Sequence, residues 1–314
     1  MRPTHKIGIA MAAVATCATA SVVPGMVPGA ADGGARRSPS QGQSACPQRW
    51  DGGAIGGWVP APSGLDGAAD SLVPGSPVSA LICAYPGNTR SGGLAGSRTL
   101  TGQATAMAHD LGYLPVGTEG GEIPCTLMAG PATNYLVRFA YPDGRGLWLG
   151  SAEEVNSCVT TTNGTALSHV YVGDSLTAAY RTGTWRLDQP ERPCPGSLGR
   201  RGQNARMVPE GPVKVVVCRI GRHDEPARRT EYGTKQAHEL AAALNSVAAG
   251  PSRNACHHLR GGSGGRFEVL FGYADGPPAS VRVTTACRPS ANNGLLEGHL
   301  DDSVRDRVVQ LAPP

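Results

Sequence analysis

The chain repeats itself. Residues 72–83 read LVPGSPVSALIC and residues 207–218 read MVPEGPVKVVVC, aligned without a gap. The echo continues on both sides in the same order. Cys46-Pro47 precedes the first copy and Cys194-Pro195 the second. Downstream, Ala104, Met107, Ala108 and Leu111 answer Ala237, Leu240, Ala241 and Leu244, an apolar stripe at helical spacing. Then come Cys125 and Cys256, FAYPDG (139–144) and FGYADG (271–276), Cys158 with Asn163-Gly164, and Cys287 with Asn293-Gly294. Last, GDSLTAAY from 173 matches DDSVRDRV from 301. Seven matches in register, with four cysteines in phase, predict two tandem homologous domains at 45–188 and 193–312. The segment LDQPERP between them is polar and proline-containing, as linkers are.

Each copy predicts the order β-α-β-β-α. Continuous apolar runs at 78–85 and 213–220 read as buried strands. The stripe is a helix. Strands at 135–141 and 267–273 enter an Asp-Gly turn, because glycine accepts the positive φ of a hairpin. Their partners run from 147 to 158 and from 279 to 287, and a short helix closes the unit. The expected fold class is α+β: two small, mainly antiparallel sheets, each with helices on one face and each braced by disulfides. Aromatic residues make up only 5%, so the cores must rest on Val, Leu, Ala and Ile.

The N-terminus sets the compartment. Arg2, His5 and Lys6 precede the apolar run IGIAMAAVAT, and small residues follow with cut sites near Ala20 and Ala31. Residues 1–31 read as a secretory signal peptide and 32–44 as a disordered lead-in. The apolar run is too short for a membrane span. Cys17 follows a small-residue triplet, which leaves lipid anchoring outside the cytoplasmic membrane as an alternative to secretion. Removing Cys17 leaves an even set of eight cysteines in an exported chain, a disulfide framework. Four cysteines per copy allow three connectivities. The favoured set is Cys46–Cys83, Cys125–Cys158, Cys194–Cys218 and Cys256–Cys287, over similar loop lengths in both copies.

Net charge is +4 with basic residues scattered, so nothing supports nucleic-acid binding. No cofactor motif is present. His257-His258 are adjacent on a loop or strand with no third ligand nearby, and read as exposed rather than metal-binding. GGSGG at 261–265 fits a nucleophile elbow in letters only, since a strand rather than a helix follows it.

The block VYVGDSLTAAY (170–180) resembles the nucleophile block of the GDSL esterases and lipases, which would make Ser175 catalytic. Such an enzyme also needs a later Asp-x-x-His and oxyanion donors, and no Asp here has His three residues on. The second copy spells the same place DDSV. Asp174, Ser175, Asp302 and Ser303 are therefore read as helix-capping residues. Tyr141, Asp143, Tyr273 and Asp275, common to both copies, read as core aromatics and turn residues.

The string Cys-Pro … Val-Pro … Val … Cys … Phe-x-Tyr-x-Asp-Gly … Cys … Asn-Gly resembles an uncharacterised repeat of exported proteins from high-GC Gram-positive bacteria. That resemblance implies compartment and repeat structure, and no reaction. The chain more faintly resembles the subtilisin-inhibitor-like proteins, whose inhibitory loop follows the third cysteine. The matching positions are Thr126, Leu127 and Met128, and His257, His258 and Leu259 in the second copy. One departure is plain: the family's helix carries a cysteine and this one has none. The leading expectation is a secreted, non-enzymatic pair of binding domains whose partner is a protein or a cell-envelope ligand. A protease inhibitor is the alternative, and a GDSL-type hydrolase the second.

Overall fold

Eight residues in β2 (Ser79–Pro86) show how the first half is built. Ala80, Ile82 and Ala84 point to one side of the strand; Cys83 and Tyr85 point to the other, and all five are buried. A strand buried on both faces must lie inside a sheet with cover on each side. The computed structural model describes residues 44–50, 59–87, 92–117, 128, 130–187, 194, 198–221, 227–258 and 264–314. The expected signal peptide and Cys17 lie outside the described residues, as do Cys125, Leu127 and residues 261–263 of GGSGG.

Before β2 lies the short strand β1 (Arg49–Trp50), which pairs with β3 (Gly92–Gly93). Then follow β4 (Gly96–Leu100), α1 (Ala104–Gly112), β5 (Ala132–Ala140), β6 (Gly146–Glu154), β7 (Thr161–Thr162), β8 (Leu167–Ser168) and α2 (Gly173–Thr182). The second half runs β9 (Lys214–Ile220), β10 (Arg228–Tyr232), α3 (Thr234–Asn245), β11 (Ala249–Pro251), β12 (His257–His258) and β13 (Arg266–Gly272). It ends with β14 (Ala279–Thr284), β15 (Cys287–Arg288), β16 (Ala291–Asn292), β17 (Leu296–Gly298) and α4 (Asp302–Leu311).

The fold is α+β; among the described residues there are two large antiparallel sheets, two short two-stranded ones, and a disulfide framework. The first sheet has the order β4-β2-β5-β6-β7-β8, the second β10-β9-β13-β14-β16-β17-β11. Apart from the added edge strand β11, the two orders follow the same path through the chain. Residues 37–314 form one compact unit.

Helices cover one face of each sheet. In the first half, Ala104, Met107, Ala108 and Leu111 of α1 and Leu176 and Ala179 of α2 pack on Ile82, Val137, Phe139, Leu147 and Leu149. In the second, Ala237, Leu240, Ala241 and Leu244 of α3 and Val304 and Val308 of α4 pack on Val217, Val269, Phe271 and Val281. All eight stripe positions are buried. The opposite face of the first sheet carries a second cluster, Cys46, Val59, Cys83, Tyr85, Leu136 and Trp148.

Cys46 is bonded to Cys83, Cys194 to Cys218 and Cys256 to Cys287. The first two pin a preceding segment to the outer face of each sheet. The third ties the lead-in of the β13–β14 hairpin to its exit. Cys158 is disulfide-bonded as well, and its expected partner Cys125 lies outside the described residues.

The capping expectation needs correction. In α4 the cap is Asp301, one residue earlier than expected: its Oδ1 accepts from the Val304 N–H at 2.9 Å and from the Ser303 hydroxyl at 2.7 Å. Asp302 already lies in the first turn. In α2 the N-cap is Val172, with no side-chain cap bond. Val172 has no side-chain acceptor to offer, and a Cβ on the next residue, Gly173, would come within 2.3 Å of the Ala152 carbonyl oxygen, so the helix start is pressed against the backbone of β6. Asp174 and Ser175 fall inside the helix, past the position from which a side chain caps.

Candidate functional site

The turn after β6 is tight and internally bonded. Ser157 N–H donates to the Glu154 carbonyl at 3.1 Å, and Ser157 itself takes a positive φ of 52°. The Glu154 carboxylate accepts from the Cys158 N–H at 2.8 Å. This geometry turns Asn156 toward the segment that precedes β5. Its Oδ1 accepts from the Met128 N–H at 3.1 Å, and its Nδ2 donates to the Met128 carbonyl at 3.1 Å. One amide side chain thus holds both polar backbone groups of one residue, as a paired strand would.

The Met128 side chain is left out in solvent, 56% exposed. Val155, 46% exposed, stands beside the same segment: a Cβ on Gly130 would meet its Cγ1 at 3.0 Å, so glycine there lets the two stretches approach. Two exposed apolar side chains, Met128 and Val155, thus flank this contact. Rigid presentation lowers the ordering cost that a binding loop otherwise meets.

The GDSL block supports this turn from behind. The Tyr171 hydroxyl accepts from the Glu154 N–H at 3.2 Å and donates to Asp174 Oδ1 at 3.0 Å. Burial pushes the Tyr171 phenol up to about 12, so it stays a neutral donor. Thr177 of α2 donates to the Glu153 carboxylate at 2.6 Å. Asp174, expected as a cap, instead anchors a tyrosine that fixes the base of the loop.

Ser175 is 3% exposed. It lines a cleft of about 410 Å³ with His169, Val170, Tyr171, Val172, Asp174 and Leu198. Among the described residues His169 Nδ1 is buried without a hydrogen-bond partner, and burial lowers its pKa. A base in a serine triad has that nitrogen held by an acid.

The remaining singled-out residues are dispersed. Tyr141 donates to the Pro74 carbonyl at 2.7 Å and Tyr273 to the Pro209 carbonyl at 2.9 Å, which links the Phe-x-Tyr and Val-Pro motifs in each half. Asp143 accepts from the backbone and side chain of Arg145. Asp275 faces His109 and Tyr113 of the first half. His257 is exposed in β12, opposite Arg288. Among the described residues no cluster of His, Cys, Asp or Glu has the makings of a metal site. Asn156 escaped the sequence reading; its only sequence signal is an Asn two residues before a disulfide cysteine. No protein-family model matches the chain, and no curated protein or solved structure matches it either.

Proposed function

We propose that this is a secreted, non-enzymatic protein made of two tandem copies of one domain, and that it works by binding, with the Met128 segment as its contact element in the first copy. The observation that carries this reading is the two-point grip of Asn156 on Met128, which ties down both backbone polar groups of that residue while its apolar side chain stays exposed. Disulfide bracing and the common strand order of the two sheets support export and duplication. Among the described residues no helix is long and apolar enough to cross a membrane.

The grip favours one specific form of that reading. A protease cleft receives a backbone segment with a side chain directed into its pocket, and a residue whose backbone groups are tied down beforehand binds with less ordering cost. This agrees with the resemblance to subtilisin-inhibitor-like proteins at Thr126–Met128. The lack of an Asp with His three residues on weighs against a GDSL-type hydrolase. The test is incubation of the full chain with subtilisin and with trypsin at stoichiometric excess. Inhibition that is lost in Met128→Asp supports the inhibitor form. Absence of inhibition removes it and leaves the wider binding reading, which a pull-down from culture fluid and cell envelope with wild type and Met128→Asp then tests. A partner retained equally by both proteins overturns the assignment of the Met128 segment.

A further inference from the structure

One polar cluster joins the two halves. Helix α1 supplies His109 and Asp110, with Tyr113 just past its end; the β13–β14 turn supplies Asp275; the chain between the sheets supplies Trp185, Arg200 and Arg201. The Asp275 carboxylate accepts from His109 Nε2 at 2.8 Å and from the Tyr113 hydroxyl at 3.0 Å. On the ring's other side, His109 Nδ1 lies 3.3 Å from Asp110 Oδ1, while Asp110 Oδ2 accepts from Trp185 Nε1 at 2.8 Å. The Arg200 guanidinium lies over the rings of Tyr113 (4.5 Å) and Tyr273 (3.9 Å) and donates to the carbonyls of Asp275 and Pro277 at 2.7 and 2.9 Å. The Arg201 N–H donates to the Tyr113 carbonyl at 2.7 Å, and its guanidinium stands 5.8 Å from the same ring.

Both nitrogens of His109 therefore face carboxylate oxygens, one from each half. A neutral imidazole carries a single N–H and donates to one of them; an imidazolium donates to both. We propose that His109 is a pH-sensitive latch between the halves, bridging Asp110 and Asp275 when protonated and releasing one of the two carboxylates when neutral.

The surrounding charges set the direction. Burial lowers the pKa of His109, but the hydrogen bonds and negative charges of Asp275 and Asp110 outweigh it and the net shift is upward. Arg200 and Arg201 oppose protonation, and the Arg200 N–H groups are turned to carbonyls instead. A group raised in the folded state contributes coupling that is complete below its unfolded value of about 6.5, and lost as pH rises through the raised value. At 39% side-chain exposure the contact is screened, so the effect is modest.

The test is an NMR titration of the histidine rings in the full chain, alongside amide exchange of the Arg201 N–H corrected for its intrinsic pH dependence. His109 is expected to titrate above the ordinary histidine value. Protection at Arg201 is expected to fall about two- to fivefold through that titration, the scale of an exposed ion pair. Asp275→Asn is expected to lower the His109 pKa. His109→Gln, which keeps a donor without titrating, is expected to leave Arg201 protection flat with pH. A His109 that titrates at or below the ordinary value overturns the latch. So does Arg201 protection that ignores the titration in the wild type.

Discussion

Asn163 and Asn293 hold the same place in the two halves and make the same five side-chain bonds. Asn163 Nδ2 reaches the carbonyls of Ala68, Ser71 and Leu72, and its Oδ1 accepts from the N–H groups of Thr165 and Ala166. Asn293 Nδ2 reaches Gln203, Arg206 and Met207, and its Oδ1 accepts from Leu295 and Leu296. Each amide fastens the loop before the first long strand to the turn before the last helix. Both side chains are buried, so water cannot take over their bonds.

Replacing either asparagine is therefore expected to cost far more than a surface change. Asn163→Ala strands three carbonyls and two amide N–H groups, and the expected loss is about 3–5 kcal/mol. Asn163→Asp keeps the shape but turns an acceptor toward three carbonyls, so it is expected to destabilise at least as much. Denaturant unfolding of each variant, and of the Asn293 pair, checks this. A loss near that of a surface substitution contradicts the bracket.

The hydrophobic pattern predicts β2, β5, β6 and their second-half equivalents, and the helical stripes, because those residues are apolar at the period of their element. It misses β4 and β10. GSRTL and RRTEY are edge strands with mostly exposed side chains, and an edge strand is specified by backbone pairing that leaves no apolar trace. The Asn-Gly pairs stand out as repeat markers. Their partners, 91 to 95 residues away in the first half, are fixed only by the tertiary fold. The proposed contact element is half legible. Met128 is singled out only by what the resemblance to the subtilisin-inhibitor-like proteins implies, whereas Asn156 acts through a side-chain geometry that no spacing rule encodes.

Alkaline stability is expected to depend on Tyr85, Tyr141 and Tyr273, whose hydroxyls each donate to a backbone carbonyl. Burial pushes Tyr141 and Tyr273 each up to about 12, and Tyr85 higher still. An unfolded tyrosine ionises near 10, so their contribution is complete below about pH 10 and lost as pH rises through the folded value. Ultraviolet titration is expected to show these rings ionising late, together with unfolding. Tyr141→Phe and Tyr273→Phe each remove a bond to a proline carbonyl, and about 1–2 kcal/mol of stability is expected to go with it. Rings that ionise near 10 in the folded protein would contradict their burial.

Glu268 is a charge in an unfavourable place. It lies on β13 opposite Cys218 and is 8% exposed, with Arg282 Nε 3.8 Å away. Burial raises its pKa, and the Arg282 charge only partly offsets that. With a raised carboxyl, the favourable contribution is complete below the unfolded value of about 4.3 and is lost as pH rises through the folded one. Glu268→Gln is therefore expected to raise the Tm at pH 7 and to leave it nearly unchanged at pH 3.5. A fall at pH 7 would show that the Arg282 pair outweighs desolvation.

Gly173 separates the two meanings of the GDSL block. As part of a nucleophile motif it would matter for activity. Here it matters because a Cβ would overlap the Ala152 carbonyl at 2.3 Å and the Tyr171 hydroxyl at 2.6 Å. The strand and helix are both packed on the core, so neither yields freely. Gly173→Ala is expected to cost about 1–3 kcal/mol, the usual scale of forced overpacking. It is also expected to disturb the Tyr171–Glu154 contact that steadies the turn holding Asn156. The two effects are read separately, by thermal unfolding and by the exchange rate of the Met128 N–H. Faster exchange at Met128 at a temperature where the variant is fully folded would tie the helix start to the proposed contact element. Unchanged exchange would confine Gly173 to packing.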